Sequence, residues 1–232
     1  LVTGGGLAID RAARFSVLSL FLWLFAFTNV VQASSSSSTF VGSQAKWSLP
    51  EGSTALVTGG TKGIGRAIVS ELASTLGCTV LTCGRNKEEL DACIEECNKS
   101  EGGTVYGIVA DVSTVEGRQV LMDAIRDKLG NRLDILVNNV GTNIRKPTIE
   151  YTEQDFDFIM ATNLKSMFEL SKLCQPLLAK SSGGASVVNI GSVAGVTCIK
   201  TGTPYSMTKA AMNQLTGNLA CEWGPHGIRV NC

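Results

Sequence analysis

The sequence predicts an α/β protein: a doubly wound parallel sheet sandwiched between two layers of helices, three layers αβα in all. Three observations carry that expectation. From Thr54 onward, short β-branched runs alternate with longer stretches of helical periodicity, the pattern of successive βαβ units. The strand runs, such as Leu133-Asp134-Ile135-Leu136-Val137 and Ala185-Ser186-Val187-Val188-Asn189-Ile190, are nearly continuous in apolar residues rather than alternating, as burial beneath helices on both faces requires. The first strand also runs straight into a glycine-rich turn and a helix start, and ligands of such sheets bind outside the carboxyl ends of the strands.

Taken in order, the sheet opens with a strand over 54–59, and Arg66-Ala67-Ile68-Val69 continues a helix over 63–76. A strand over 79–83, a helix over 86–99, a strand over 104–109, a helix over 114–129 and a strand over 133–138 follow. A long helix over 152–180 leads to a strand over 185–191. The next helix, over 203–223, opens with Thr203-Pro204, where proline is favoured because the first helical N–H groups have no intrahelical partner. A strand over 228–231 comes last, and the sequence stops inside it. An edge strand needs cover, so residues 51–232 read as one domain, incomplete at its C-terminus.

Residues 1–50 differ in kind. Phe15 to Val31 is an uncharged apolar run preceded by Arg11 and Arg14 and followed by small residues and the serines Ser34 to Ser38. Basic residues, an apolar stretch and small residues in that order suit a secretory signal, and 17 residues also approach the length of a membrane span. An organellar targeting segment and a leader with no role in the folded domain fit as well. Contact with a membrane is expected only through 15–31. The eight cysteines all lie beyond residue 50, without a C-x-x-C pair. Small buried thiols in a reducing, cytoplasmic setting explain them better than metal ligation. Lys and Arg number 20 against 20 Asp and Glu, so no basic surplus exists to neutralise the phosphates of a nucleic acid.

The chemistry concentrates at the strand ends. Thr58-Gly59-Gly60-Thr61-Lys62-Gly63-Ile64-Gly65 joins strand to helix, so free backbone N–H groups and the positive end of a helix dipole converge on one point. That arrangement suits a pyrophosphate: Gly59 for the tight turn, Gly63 for approach of the ligand, Gly65 for close packing of helix on strand. A plain tight turn is the alternative. At the end of the second strand an acidic residue would bind the ribose 2′-hydroxyl of NAD; this sequence has Gly84 followed by Arg85. Arg85, with Lys62, would instead meet a 2′-phosphate, unless both are ordinary solvated charges. The expected cofactor is NADP(H).

Tyr205 and Lys209 stand at i and i+4 of one predicted helix and share a face. A phenol ordinarily releases its proton near pH 10. A cation about 4 Å away, worth roughly 4 kcal/mol at an effective dielectric of 20, brings a phenol towards neutral pH. Ser192, just past the fifth strand, is placed to hydrogen-bond a substrate oxygen. The lone His226 reads as a helix-terminal structural residue.

The motif Thr-Gly-x-x-x-Gly-x-Gly at Thr58 to Gly65, with Asp111-Val112, Asn138-Asn139-Val140-Gly141, Asn163, Ser192 and Tyr205-x-x-x-Lys209, resembles the short-chain dehydrogenase/reductase family in order and spacing across residues 52–232. Thr82-Cys83-Gly84-Arg85-Asn86, Ile135 to Asn139 and Leu219-Ala220-Cys221-Glu222-Trp223 are especially similar to plant tropinone reductases. The resemblance implies a Rossmann fold and reduction of a small ketone to an alcohol. Tyr205, Lys209, Ser192 and Asn163 would be catalytic, Asn163 by supporting a water relay to the lysine. Gly59, Thr61, Lys62, Gly63, Ile64, Gly65, Arg85, Asp111, Val112, Asn139 and Gly141 would line the cofactor together with Tyr205 and Lys209. It further implies pairing of copies through the helices at 152–180 and 203–223, and a last strand with a substrate-covering region after Asn231 that this sequence lacks. Val140 departs from the family's usual alanine. A non-catalytic module that holds cofactor or a partner is the alternative reading.

Overall fold

A computed structural model describes residues 48–99 and 102–232; the leader expected over 1–50 lies almost wholly outside the described residues. Pro50–Cys232 form one compact unit. Its six strands are β1 (Thr54–Thr58), β2 (Thr79–Gly84), β3 (Val105–Val109), β4 (Ile135–Asn138), β5 (Ala185–Asn189) and β6 (Ile228–Asn231). All neighbours pair in parallel, in the order β3-β2-β1-β4-β5-β6. The order reverses direction at β1, and there a doubly wound sheet leaves its ligand crevice.

Register explains the continuous apolar runs. Leu81, Leu56, Leu136, Val187 and Val230 are successive partners across the sheet, and all five belong to one buried cluster with Leu121, Ile125 and Leu170 from the helices of that face. Their neighbours Val57, Val137 and Val188 form the next row, which points to the opposite face because strand side chains alternate. Each leucine fully buried in this way stabilises the fold by about 1.5–3 kcal/mol.

The helices are α1 (Gly63–Ser70), α2 (Lys87–Cys97), α3 (Val115–Lys128), α4 (Glu153–Met160), α5 (Ser166–Leu178) and α6 (Thr203–Trp223). Side chains fix three of their starts. Asn86 accepts from the Glu89 N–H at the head of α2, Thr114 from Gly117 at α3, and Thr152 forms a reciprocal capping box with Asp155 at α4. Two helices expected as uninterrupted contain a widened π turn: Glu71–Thr75 follows α1, and Ala161–Lys165 separates α4 from α5. The chain stays helical through both, so residue periodicity alone does not disclose them.

At the amino-terminal edge of the sheet, opposite the crevice, Asp134 ties β1 to β4. Its carboxylate accepts from the Thr54 N–H at 2.8 Å, the Thr54 hydroxyl at 3.0 Å and the Ser181 hydroxyl at 2.6 Å, and pairs with Arg132 at 3.2 Å.

Candidate active site

The carboxyl ends of β1, β2, β4 and β5 open into one cleft of about 960 Å³. Gly59, Thr61, Lys62, Ile64, Gly65, Arg85, Asp111, Val112, Asn139, Gly141, Ser192, Tyr205 and Lys209 all line it. Of the site residues expected from sequence, only Gly63 and Asn163 do not line it: Gly63 is exposed and Asn163 is buried.

The turn after β1 is built for close approach. Gly59 has φ +69°, and a Cβ on Gly65 would fall 2.2 Å from the Gly59 carbonyl oxygen, so the start of α1 rests directly on the turn. Gly63 takes φ +58°, a left-handed conformation that glycine adopts without strain, and is exposed. Lys62, the residue before α1, makes no side-chain hydrogen bond to the helix start. The first N–H groups of α1 are therefore not capped by it, as a phosphate-binding helix start requires. A Cβ on Gly84 would meet the Thr61 methyl at 2.5 Å, so glycine at the end of β2 lets the glycine-rich turn close over it.

Thr58 and Asn139, both in the sequence motifs, together with Thr82, hold this turn through bonds that the sequence does not disclose. The Thr58 hydroxyl accepts from the N–H groups of Asn139 and Val140 at 3.0 and 3.1 Å. The Asn139 amide donates back to the Thr58 and Gly59 carbonyls at 2.9 and 3.1 Å. Thr82 accepts from the Gly60 N–H at 3.1 Å, and a Cβ on Gly60 would lie 2.1 Å from that hydroxyl. Deeper, Asn138 donates to Asn189 at 2.9 Å and Ser171 at 3.1 Å, and Asn189 donates to Thr216 at 2.9 Å. These bonds lock β4 and β5 to the helices behind them. Thr58 lies inside the glycine motif and was open to notice there; the distant partners Thr82 and Asn189 leave no local signal.

The cations at the far end are both paired loosely. Arg85 lies 3.8 Å from Asp111 and Lys62 lies 3.5 Å from Glu89, and all four groups are solvent-exposed to some degree, so each pair is worth about 0–1 kcal/mol. A dianionic phosphate competes readily for such partners. Burial pushes the Asp111 carboxyl up, but hydrogen bonds from the Ser113 hydroxyl and N–H and the charge of Arg85 outweigh it and leave the pKa below the ordinary value.

At the other end, the Lys209 ammonium is buried, 4% exposed. It donates to the Ile190 carbonyl at 2.5 Å and stands 5.6 Å from the centre of the Tyr205 ring. Burial holds its pKa below the usual lysine value. Asn163 is fully buried in the π turn between α4 and α5. It accepts from the Thr142 N–H at 2.8 Å, donates to the Thr142 carbonyl at 2.9 Å, and donates to Thr208 at 3.2 Å; Thr208 in turn donates to the Tyr205 carbonyl at 2.7 Å. A Cβ on Gly141 would lie 3.6 Å from the Lys209 ammonium and 3.7 Å from the Asn163 carbonyl oxygen, so all three meet at one point. Ser192 opens a short 3-10 turn over Val193–Gly195, and its hydroxyl accepts from the Ala194 N–H at 3.2 Å. Among the described residues no His, Cys, Asp or Glu group is arranged to hold a metal ion, and no helix is long and apolar enough to cross a membrane.

Residues 53–232 match the family model described as short chain dehydrogenase. The chain belongs to the short-chain dehydrogenase family. This family consists of oxidoreductases that use nicotinamide cofactors on small-molecule substrates. A tropinone reductase homolog of Arabidopsis thaliana is 52% identical over 187 residues, spanning 81% of this chain and 69% of its own. A chloroplastic tropinone reductase homolog of the same plant is 50% identical over 201 residues, 87% of this chain and 61% of that one. A tropinone reductase homolog of Datura stramonium is 46% identical over 190 residues, 82% and 69% of the two chains. The chain thus spans about two thirds of the length of these family members. Among solved structures, a short chain dehydrogenase from Mycobacterium smegmatis superposes with a TM-score of 0.72 at 27% identity, covering 78% of this chain and 74% of that one.

Proposed function

We propose that this short-chain dehydrogenase reduces a small ketone to an alcohol with NADPH. The observation that supports it most is the convergence of Ser192, Tyr205 and Lys209 on one end of a cleft whose other end is the uncapped start of α1 flanked by Lys62 and Arg85. When bound, reduced nicotinamide supplies a hydride to the carbonyl carbon; the oxygen must then gain a proton. Tyr205 donates that proton. Ser192 hydrogen-bonds the same oxygen and stabilises the charge that develops on it. Lys209 holds a positive charge beside the ring, favouring the phenolate left after transfer, and Asn163 fixes the Thr142 backbone and the first turn of α6 against each other.

Choice of NADPH over NADH rests on Arg85 and on the absence of an acid at Gly84. Arg85→Asp places a negative charge where the 2′-phosphate would sit. The ratio of kcat/KM for NADPH over NADH should fall by at least tenfold, and an unchanged ratio would remove the NADP assignment. The names of the relatives point to tropinone, an amino ketone, as the first substrate to try. Incubation with NADPH and a panel of cyclic ketones, followed by loss of nicotinamide absorbance, tests the reaction itself. Cofactor binding without consumption across the panel would favour a binding module instead. Pairing of two copies through α4 to α6 and a leader role for residues 1–50 in a cytoplasmic or targeted enzyme complete the proposal.

A further inference from the structure

We infer that Arg145 selects carbonyl substrates that carry a carboxylate. The charged residues lining the cleft are Lys62, Glu89, Arg85, Asp111, Lys209 and Arg145. The first four form the two loose pairs at the cofactor end, and Lys209 is turned to the Ile190 carbonyl. Arg145 has no carboxylate within ion-pair distance among the described residues and, unlike the buried Lys209, is exposed. Along the same segment, Asp155 is engaged by Lys146 and Thr152, and neither Glu150 nor Glu153 is within ion-pair distance of Arg145.

The position of Arg145 follows from how its segment is held. Asn143 packs against Gly202, where a Cβ would lie 2.8 Å from the Asn143 oxygen, and Thr148 hydrogen-bonds Thr203 at 2.6 Å. Tyr151 adds a hydrogen bond to the Ile144 carbonyl. The segment is thereby pinned on both sides of Arg145 to the residues that open α6, one turn from Tyr205. The remaining walls at this end, Phe158, Val193, Ala194, Ile199 and Thr201, are uncharged. An apolar wall with one unpaired guanidinium fits a ring that bears a carbonyl and, on its far side, a carboxylate, which a guanidinium binds through two parallel hydrogen bonds. A protonated amino ketone would instead bring a second cation to it.

The carbonyl part of this inference rests on the reductase reading; the anion part does not. The test compares oxocyclohexanecarboxylate, its methyl ester and N-methylpiperidone as substrates of the full chain with NADPH. In parallel, calorimetric titration measures binding of the inert pair cyclohexanecarboxylate and cyclohexanecarboxamide. The keto acid should exceed its ester in kcat/KM, and the carboxylate should outbind the amide, each by about twofold to fivefold for an exposed cation. In Arg145→Gln both preferences should collapse. Equal handling of acid and ester, equal binding of carboxylate and amide, or preferences that survive Arg145→Gln would overturn the inference. Carboxylate preference in binding with no ketone reduced would instead sink the reductase reading and leave Arg145 as an anion site.

Discussion

Lys209 and Gly65 show how single residues are committed to the site at the expense of anything else. Because the folded pKa of Lys209 lies below its unfolded value, burial of its ammonium costs stability at neutral pH, and that cost disappears as pH rises through the unfolded value near 10.4. Lys209→Met should therefore unfold at the same or a higher temperature while losing most turnover, the trade expected where a site is kept under strain. A lowered melting temperature would mark Lys209 as a strut for the Ile190 carbonyl. Gly65→Ala should do the reverse. Its Cβ meets backbone at 2.2 Å, which must shift to admit it, at about 1–3 kcal/mol, and dinucleotide affinity should fall with stability. The glycines, Arg85 and the Tyr205–Lys209 pair were legible because their spacing is local. Arg145 was not, because nothing in its neighbours' sequence says that Asn143 and Thr148 dock on the start of α6.

At the scale of elements, the sheet edge opposite the cleft depends on Asp134. Burial raises its pKa, but the hydrogen bonds from Ser181 and Thr54 and the charge of Arg132 outweigh burial and leave the carboxyl below its ordinary value. A carboxylate depressed in the folded state stabilises above the unfolded pKa of about 3.9 and loses that contribution as pH falls through the folded value. Asp134→Asn should cost about 1–3 kcal/mol at pH 7, read from chemical denaturation, and the gap to wild type should narrow below pH 4, roughly the unfolded pKa. A gap independent of pH would remove the charge from the explanation. Apolar runs and turn residues made every strand legible to within a few residues. The π turn at Ala161–Lys165 was not, since helical periodicity continues through it, yet it is that widened turn which carries the buried Asn163 amide to Thr142 and Thr208. Widened turns of this kind recur at functional sites.

For the whole molecule, the parallel sheet sets a division of labour: Asp134 and its partners staple one edge, and every candidate functional group gathers at the other. The exposed Phe168 and Leu173 of α5 suit the pairing of copies expected from sequence, and sedimentation should give a species heavier than one chain; a monomer at micromolar concentration would remove that expectation. The central claim is that Tyr205 protonates a ketone reduced by NADPH. Tyr205→Phe removes only the hydroxyl, so NADPH should still bind with near wild-type affinity, while turnover of any ketone the wild type reduces should fall by roughly a hundredfold or more, the usual contribution of a general acid. Retention of wild-type turnover by Tyr205→Phe would contradict it.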